Sequence, residues 1–177
     1  MIACVTSIGE ATTDLCVWSL ERQGFEVRLY KSDTSLWAKL RDIYRDMDED
    51  FLRVDADVIC NGNVLQLTQL SDAWWYQGMV FEWFRMDLGH GGVQFIRKEC
   101  LPALREHVGE AEQLERPESY MSRLAEFHNP RRFQSFEKVC GIHGYGQTDI
   151  KRIRETKNRR GQHGDYDWDL AAKIEAL

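Results

Sequence analysis

The chain has 177 residues, of which 43% are hydrophobic, and its 23 basic and 29 acidic residues give a formal net charge of −6. A chain of this length can bury a core large enough to fold as one domain without a disulfide or a structural metal. The negative charge argues against wholesale binding to a polyanion. No segment has the pattern of a signal peptide or a membrane span. The five cysteines are odd in number and widely spaced, which excludes a Cys-x-x-Cys zinc knuckle and predicts reduced thiols in a cytoplasmic protein.

The first third of the chain alternates between two kinds of hydrophobic pattern. Short, mostly apolar runs predict strands over residues 2–6 and 51–54, and alternation of apolar and charged residues predicts a strand over 25–30. Helical spacing of apolar residues predicts helices over 11–23 and 34–47, with Gly24 ending the first and Thr34 capping the second. This alternation predicts βαβ units and a parallel sheet, whose ligands bind beyond the carboxyl ends of the strands.

The rest of the chain is less regular. Residues 74–84 are rich in aromatic side chains and fit either a strand or a helix, and they suit core packing or a platform on which sugars stack. Further strands are predicted over 92–97 and 136–140, and further helices over 98–108, 116–127 and 169–177.

Two aspartates separated by one residue occur five times, but only Asp55 and Asp57 lie between a buried strand and further apolar residues. Carboxylates at this spacing can hold a divalent cation and leave positions open for water and phosphates. The pairs within 46–50 and 165–169 are predicted to be solvated or to cap helices. For Asp55 and Asp57 the alternative is a structural pair that caps a turn or binds Arg53, since buried charges need partners.

Three segments of the chain are informative when they are taken together: FLRVDADVI at residues 51–59, GGVQFIR at 91–97 and GIHGYG at 141–146. In this order they resemble GT-A-fold nucleotide-sugar glycosyltransferases. The first resembles the metal-binding Asp-x-Asp strand, the second the glycine-led strand beside the sugar and acceptor pocket, and the third the His-x-Gly segment of the glycogenin-like and related branches. The Lys-Pro-Trp that often follows that histidine is missing here.

The resemblance implies an α/β fold in a single domain, with a Rossmann-like GT-A-type mixed sheet flanked by helices. Residues 1–62 would form the nucleotide-binding half, 63–150 the half that completes the acceptor and metal sites, and 151–177 a basic tail and terminal helix. The implied reaction moves a sugar from a nucleoside-diphosphate sugar to an acceptor. The acceptor stays open among a glycan, a protein, a small molecule and nucleic acid.

The resemblance also implies a metal site with Mn²⁺ or Mg²⁺, and imidazole favours Mn²⁺. Its implied ligands are Asp55, Asp57 and His143, with Asp55 also contacting the ribose. A loop histidine without a ligand is the alternative for His143.

Nucleotide contacts are implied for Thr6, Ser7 and Lys31 at strand ends, and a diphosphate contact for Lys151. Thr6 and Ser7 have the alternative role of capping a turn. An inverting enzyme needs a general base, for which Glu118 is the first candidate and Asp87 the second. Both have structural alternatives, as a helix N-terminal acid and a loop charge, and a retaining enzyme needs neither.

Two other functions stay open. A HAD-like phosphotransferase would use Asp55 and Asp57 as nucleophile and acid/base, although it expects this motif on the first strand and a later Asp-Asp pair, which the chain lacks. A non-catalytic nucleic-acid-binding module would use the basic segment 131–160, which has nine basic and three acidic residues.

Overall fold

The computed structural model describes residues 1–83, 86–112, 114, 116–128, 134–145 and 155. The strands are β1 (Ile2–Ser7), β2 (Glu26–Lys31), β3 (Phe51–Asp55), β4 (Val58–Cys60), β5 (Trp75–Glu82), β6 (Asp87–Ile96) and β7 (Gln134–His143). The helices are α1 (Thr13–Glu21), α2 (Leu36–Asp46), α3 (Asn63–Leu67), α4 (Leu101–His107) and α5 (Pro117–His128). Short 3₁₀ turns at Lys98–Cys100 and Val108–Ala111 flank α4.

The strands of the described part form one mixed sheet in the order β2-β1-β3-β6-β5-β7-β4. Strand β1 is parallel to both β2 and β3, as the βαβ pattern predicts. Strand β6 runs antiparallel to β3 and β5, while β7 is parallel to β5 and antiparallel to β4. The predicted α/β fold with a mixed sheet and flanking helices is therefore confirmed.

The sheet has helices on both faces because side chains alternate along its strands. Ala3 and Val5 of β1 pack in one cluster with residues of α1 and α3. Ile2 and Cys4 point the other way, into a second cluster with residues of α2, α4 and α5. Along β3, Phe51 belongs to this second cluster, so Arg53, two residues on, lies on the same face.

Several predicted elements differ from the structure in detail. Residues 74–84, which fit either a strand or a helix, contain β5, and its residues Trp75 and Tyr76 are fully buried in the core. Strands β6 and β7 are longer than predicted. Strand β4 and helix α3 were not predicted, because three and five residues are too few to show a period. The predicted helix over 169–177 and the acidic pairs within 165–169 lie outside the described residues.

The predicted N-cap of α2 was wrong by one residue. Ser35, not Thr34, caps the helix, since its side chain accepts a hydrogen bond from the backbone N–H of Ala38 at 3.2 Å. Thr34 contributes its carbonyl instead, which accepts a hydrogen bond from Nζ of Lys39. Serine is also the better N-cap of the two residues, in agreement with the position of Ser35.

All five cysteines fall within the described part of the chain, and each has a buried, free thiol. Burial raises the pKa of Cys4, Cys16, Cys100 and Cys140 to about 12, which keeps these thiols protonated and unreactive. The prediction of reduced thiols is consistent with this packing. Among the described helices, none combines the length and the apolar character that crossing a bilayer requires.

Gly141 lets β7 approach β4, and we expect Gly141→Ala to destabilise the protein strongly. A Cβ at this position would lie 2.3 Å from the carbonyl oxygen of Ile59, a backbone atom that cannot rotate away. The expected loss in free energy of unfolding is about 3 kcal/mol, measured by urea denaturation. Gly62→Ala is the matched control, because a Cβ there meets no atom within 4 Å. Equal stability of the two variants would contradict the β4–β7 contact.

Candidate active site

Three ionisable side chains from distant parts of the chain meet at one end of the sheet. Asp57 lies in the turn between β3 and β4, Glu82 ends β5 and His143 ends β7. Nε2 of His143 is 3.2 Å from Oδ2 of Asp57, and Nδ1 is 2.9 Å from Oε1 of Glu82. The N–H of Nδ1 is not aligned on the carboxylate, so this second contact is an ion pair at hydrogen-bond distance.

Backbone pairing fixes the position of His143. Because β7 lies between β5 and β4, His143 is opposite Glu82 on one side and Val58 on the other. The N–H of Trp83 donates to the carbonyl of His143 at 3.0 Å, and the N–H of Gly144 donates to the carbonyl of Asp57 at 2.9 Å. The imidazole is therefore held by the sheet, whereas an unpartnered loop histidine would have no such contacts.

The two carboxylates determine the charge of His143. Burial by itself lowers its pKa, but Asp57 and Glu82 outweigh that effect and raise the pKa well above its ordinary value. An imidazolium between two carboxylates has a net charge of −1, so the group as a whole attracts cations.

Asp55 has a different environment from Asp57. Its Oδ1 accepts hydrogen bonds from the Thr6 hydroxyl at 2.9 Å and from Nη2 of Arg53. Arg53 is 1% exposed, and its Nη1 donates to Oε1 of Gln94 at 3.0 Å. The structural alternative for Asp55, a pair with Arg53, is thus present, while a third of its side chain stays exposed.

The residues at the carboxyl end of β1 are held within the protein. Ser7 is buried, and its hydroxyl contacts Oε2 of Glu10 at 2.7 Å and Oγ1 of Thr13 at 2.9 Å. It also accepts a hydrogen bond from the N–H of Gly9, which corresponds to the turn-capping alternative. Lys31 is exposed at the end of β2, directly opposite Ser7. Lys151, predicted to bind diphosphate, lies outside the described residues.

The two predicted general bases lie in different layers. Asp87 is exposed at the start of β6, where its backbone is opposite Glu82. Glu118 is in the first turn of α5, with Oε1 3.5 Å from Nε of Arg116 and Oε2 buried. Burial raises the pKa of Tyr44, a residue of the second cluster, while Arg53 opposes that increase and Glu118 adds to it. The charge of Glu118 is therefore felt in this cluster.

Strand β6 approaches the acidic pair closely because of its glycines. Gly92 has φ +70°, and a Cβ there would lie 2.7 Å from Cγ2 of Val58 and 3.4 Å from Oδ2 of Asp55. The glycine-led strand predicted to border the site therefore passes directly beside Asp55.

A divalent cation fits between Asp57 and His143. Two adjacent ligands of an octahedral ion at about 2.1 Å are about 3.0 Å apart, close to the separation of Oδ2 and Nε2. Within the described ranges, no group of three or more acidic, histidine or cysteine side chains is arranged so that it could hold a metal ion. The remaining ligands would come from substrate phosphates and water, as is usual for Mg²⁺ and similar ions.

Two charged residues with little solvent exposure were missed from the sequence. Glu82 lies within the aromatic run 74–84, where nothing in the sequence relates it to His143. Lys39 was not singled out from the sequence, yet it is buried and its Nζ donates to the carbonyl of Thr34 at 3.0 Å. Burial lowers the pKa of Lys39, while Glu10 and Asp33, in the loops after β1 and β2, oppose that shift.

No protein family model and no curated protein matches this sequence. Solved structures do match. A glycosyltransferase involved in glycosylation of the major capsid of PBCV-1 aligns over 89% of this chain and 98% of its own, with 14% identity and a TM-score of 0.56. The 4-diphosphocytidyl-2C-methyl-D-erythritol synthase from Anaerococcus prevotii aligns over 90% and 97%, with 10% identity and a TM-score of 0.61. The galactosyltransferase LgtC, solved with donor and acceptor sugar analogues, aligns over 90% and 96%, with 12% identity and a TM-score of 0.52.

These similarities concern the fold, because all three identities are below 15%. The chain has a GT-A-type fold.

Proposed function

We propose that this protein transfers a sugar from a nucleoside-diphosphate sugar to an acceptor, with Mn²⁺ or Mg²⁺ held by Asp57 and His143. The observation that carries the proposal is the 3.2 Å separation of Oδ2 and Nε2 at the carboxyl ends of β3 and β7. In open α/β sheets this is the edge at which ligands bind. Two of the structures to which this chain is similar are of glycosyltransferases, one of them with donor and acceptor sugar analogues.

The cation would supply Lewis acidity that neutralises the charge growing on the departing diphosphate. Asp57 and His143 would hold it, while Asp55 would use its Oδ2 to accept a hydrogen bond from a ribose hydroxyl. Thr6 supports Asp55 in this role through the hydrogen bond to Oδ1. Lys31 would contact the nucleotide from the end of β2.

In an inverting reaction a carboxylate must accept the proton of the acceptor hydroxyl. Asp87 suits this role better than Glu118. Asp87 is exposed at the start of β6, opposite Glu82, whereas Glu118 lies in helix α5. Trp83, which packs edge-on against Tyr145 with ring centroids 5.1 Å apart, offers an aromatic edge beside His143 for the acceptor or the sugar.

The test is thermal shift combined with product analysis. We expect Mn²⁺ together with UDP or GDP to raise Tm more than either component alone, because a ligand that binds only the folded state stabilises it. With the matching nucleotide sugar, the protein should release the nucleoside diphosphate. Absence of both the joint stabilisation and the release across UDP- and GDP-sugars would overturn the proposal.

Nucleotidyl transfer is the second candidate, favoured by the similarity to the 4-diphosphocytidyl-2C-methyl-D-erythritol synthase. That reaction would consume a nucleoside triphosphate and release pyrophosphate, so the products separate the two candidates. The HAD-like alternative has weaker support, because Asp55 ends the third strand of the chain rather than the first. The nucleic-acid alternative stays a hypothesis, since the six basic residues within 151–160 lie outside the described part of the chain.

A further inference from the structure

Glu82 contacts the nitrogen of His143 that a cation would not use. Its Oε1 lies 2.9 Å from Nδ1, whereas Nε2 faces Asp57 on the other side of the ring. A lone pair on Nδ1 would repel a carboxylate oxygen at this distance, so Nδ1 bears the proton. A cation at Nε2 would replace the second proton of the imidazolium, so the proton that stays on Nδ1 leaves the lone pair on Nε2, the atom adjacent to Oδ2 of Asp57.

The position of Glu82 is itself fixed by β6. A Cβ on Gly89 would lie 2.8 Å from Cγ of Glu82 and 3.3 Å from its Oε1, so the side chain lies flat across this glycine. The Glu82 side chain is 12% exposed, which leaves it little freedom to turn elsewhere. The nearby Gly91 is less restricted, since its Cβ would come no closer than 4.0 Å to Oε1.

We propose that Glu82 is a positioning residue for the cation site: it holds the ring of His143 and its Nδ1 proton so that Nε2 and Asp57 Oδ2 bind one ion together. This inference rests on the proposed function. Carboxylates that orient a metal-binding histidine through its other nitrogen contribute about 10- to 100-fold to metal affinity. Gly89 contributes to this positioning, because its lack of a side chain provides the space in which Glu82 lies.

The experiment measures Mn²⁺ affinity by electron paramagnetic resonance, in the presence of UDP and, in a second series, of GDP. Glu82→Met, which keeps the approximate volume and removes the acceptor, should weaken Mn²⁺ binding by about 10- to 100-fold. Glu82→Gln keeps an acceptor oxygen and should lose less than Glu82→Met. Gly89→Ala should weaken binding by displacing Glu82, while the control Gly62→Ala, whose added Cβ meets no atom within 4 Å, should bind as the wild type does.

A second measurement separates positioning from packing. In the metal-free protein, at a pH high enough to neutralise the imidazole, the ¹⁵N shifts of the His143 ring should show the proton on Nδ1 in the wild type and a mixed population in Glu82→Met. Wild-type Mn²⁺ affinity in both Glu82→Met and Gly89→Ala would overturn the role of Glu82 and leave the proposed function standing. Failure of the wild type itself to bind Mn²⁺ with either nucleotide would overturn the proposed cation site, and the role of Glu82 with it.

Discussion

Replacing Asp57 by Asn is expected to reduce the rate of sugar transfer by about 100-fold, equivalent to about 3 kcal/mol of transition-state stabilisation. The physical reason is the loss of the carboxylate that, with Nε2 of His143, would hold the cation against the departing diphosphate. An amide oxygen is a weaker ligand because it has no formal charge. The measurement is the rate of nucleoside-diphosphate release as a function of Mn²⁺ concentration, and raising Mn²⁺ should recover part of the lost rate.

Asp48→Asn is the control for this experiment. Asp48 also belongs to an Asp-x-Asp pattern, but it is exposed in the segment between α2 and β3. Its replacement should leave the rate and the dependence on Mn²⁺ unchanged. A wild-type rate in Asp57→Asn, under conditions where the wild type depends on Mn²⁺, would show that Asp57 is not a ligand.

Replacing Asp55 by Ala is expected to reduce the free energy of unfolding by about 3 kcal/mol, measured by urea denaturation. The variant leaves the guanidinium of Arg53 buried at 1% exposure without its carboxylate partner. We expect the lower end of the range for a broken buried ion pair, because a third of the Asp55 side chain is exposed. Asp48→Asn is also the control for this measurement, and it should change the free energy of unfolding by no more than about 0.5 kcal/mol.

A double-mutant cycle identifies Arg53 as the cause of that loss. The combination Arg53→Met with Asp55→Ala should be more stable than the sum of the single effects predicts, by about 1 to 3 kcal/mol, because no charge remains buried alone. Additive effects of the two substitutions would contradict an energetic coupling between these side chains. Together with the Asp57 experiment, the cycle distinguishes an aspartate that stabilises the fold from one that binds the cation.

The sequence predicts the first half of the fold well because its signals are local. Strands β1 and β3 are mostly apolar, β2 alternates between apolar and charged residues, and α2 has a clear helical period that ends close to Met47. Asp55 and Asp57 stand out for the same reason, since they follow a buried strand. The sequence also indicates Arg53, two residues before Asp55, as an alternative partner for this aspartate, and the structure contains that ion pair.

Glu82 could not be predicted, because its role depends on which strands are neighbours. Nothing in the aromatic run around Glu82 indicates that β5 pairs in parallel with β7, a strand that begins more than fifty residues later. Only this pairing brings Glu82 beside His143. Lys39 lies three residues after Leu36 and four before Ile43, on the apolar face of α2, so helical spacing agrees with its burial although its charge favours solvent.

The pairing of Val58 with His143 also has a consequence for synthesis of the protein. A ribosome delivers β1, β2 and β3, and with them Asp55 and Asp57, long before it delivers the last strand. A growing chain that ends before residue 134 can therefore contain both aspartates and Glu82 while it lacks the imidazole between them. Asp57 and Glu82 would then lie at one end of the sheet without the positive charge of His143 between them. The arrival of β7 both fills the gap between β5 and β4 and relieves this repulsion, so assembly of the sheet and assembly of the site are one event.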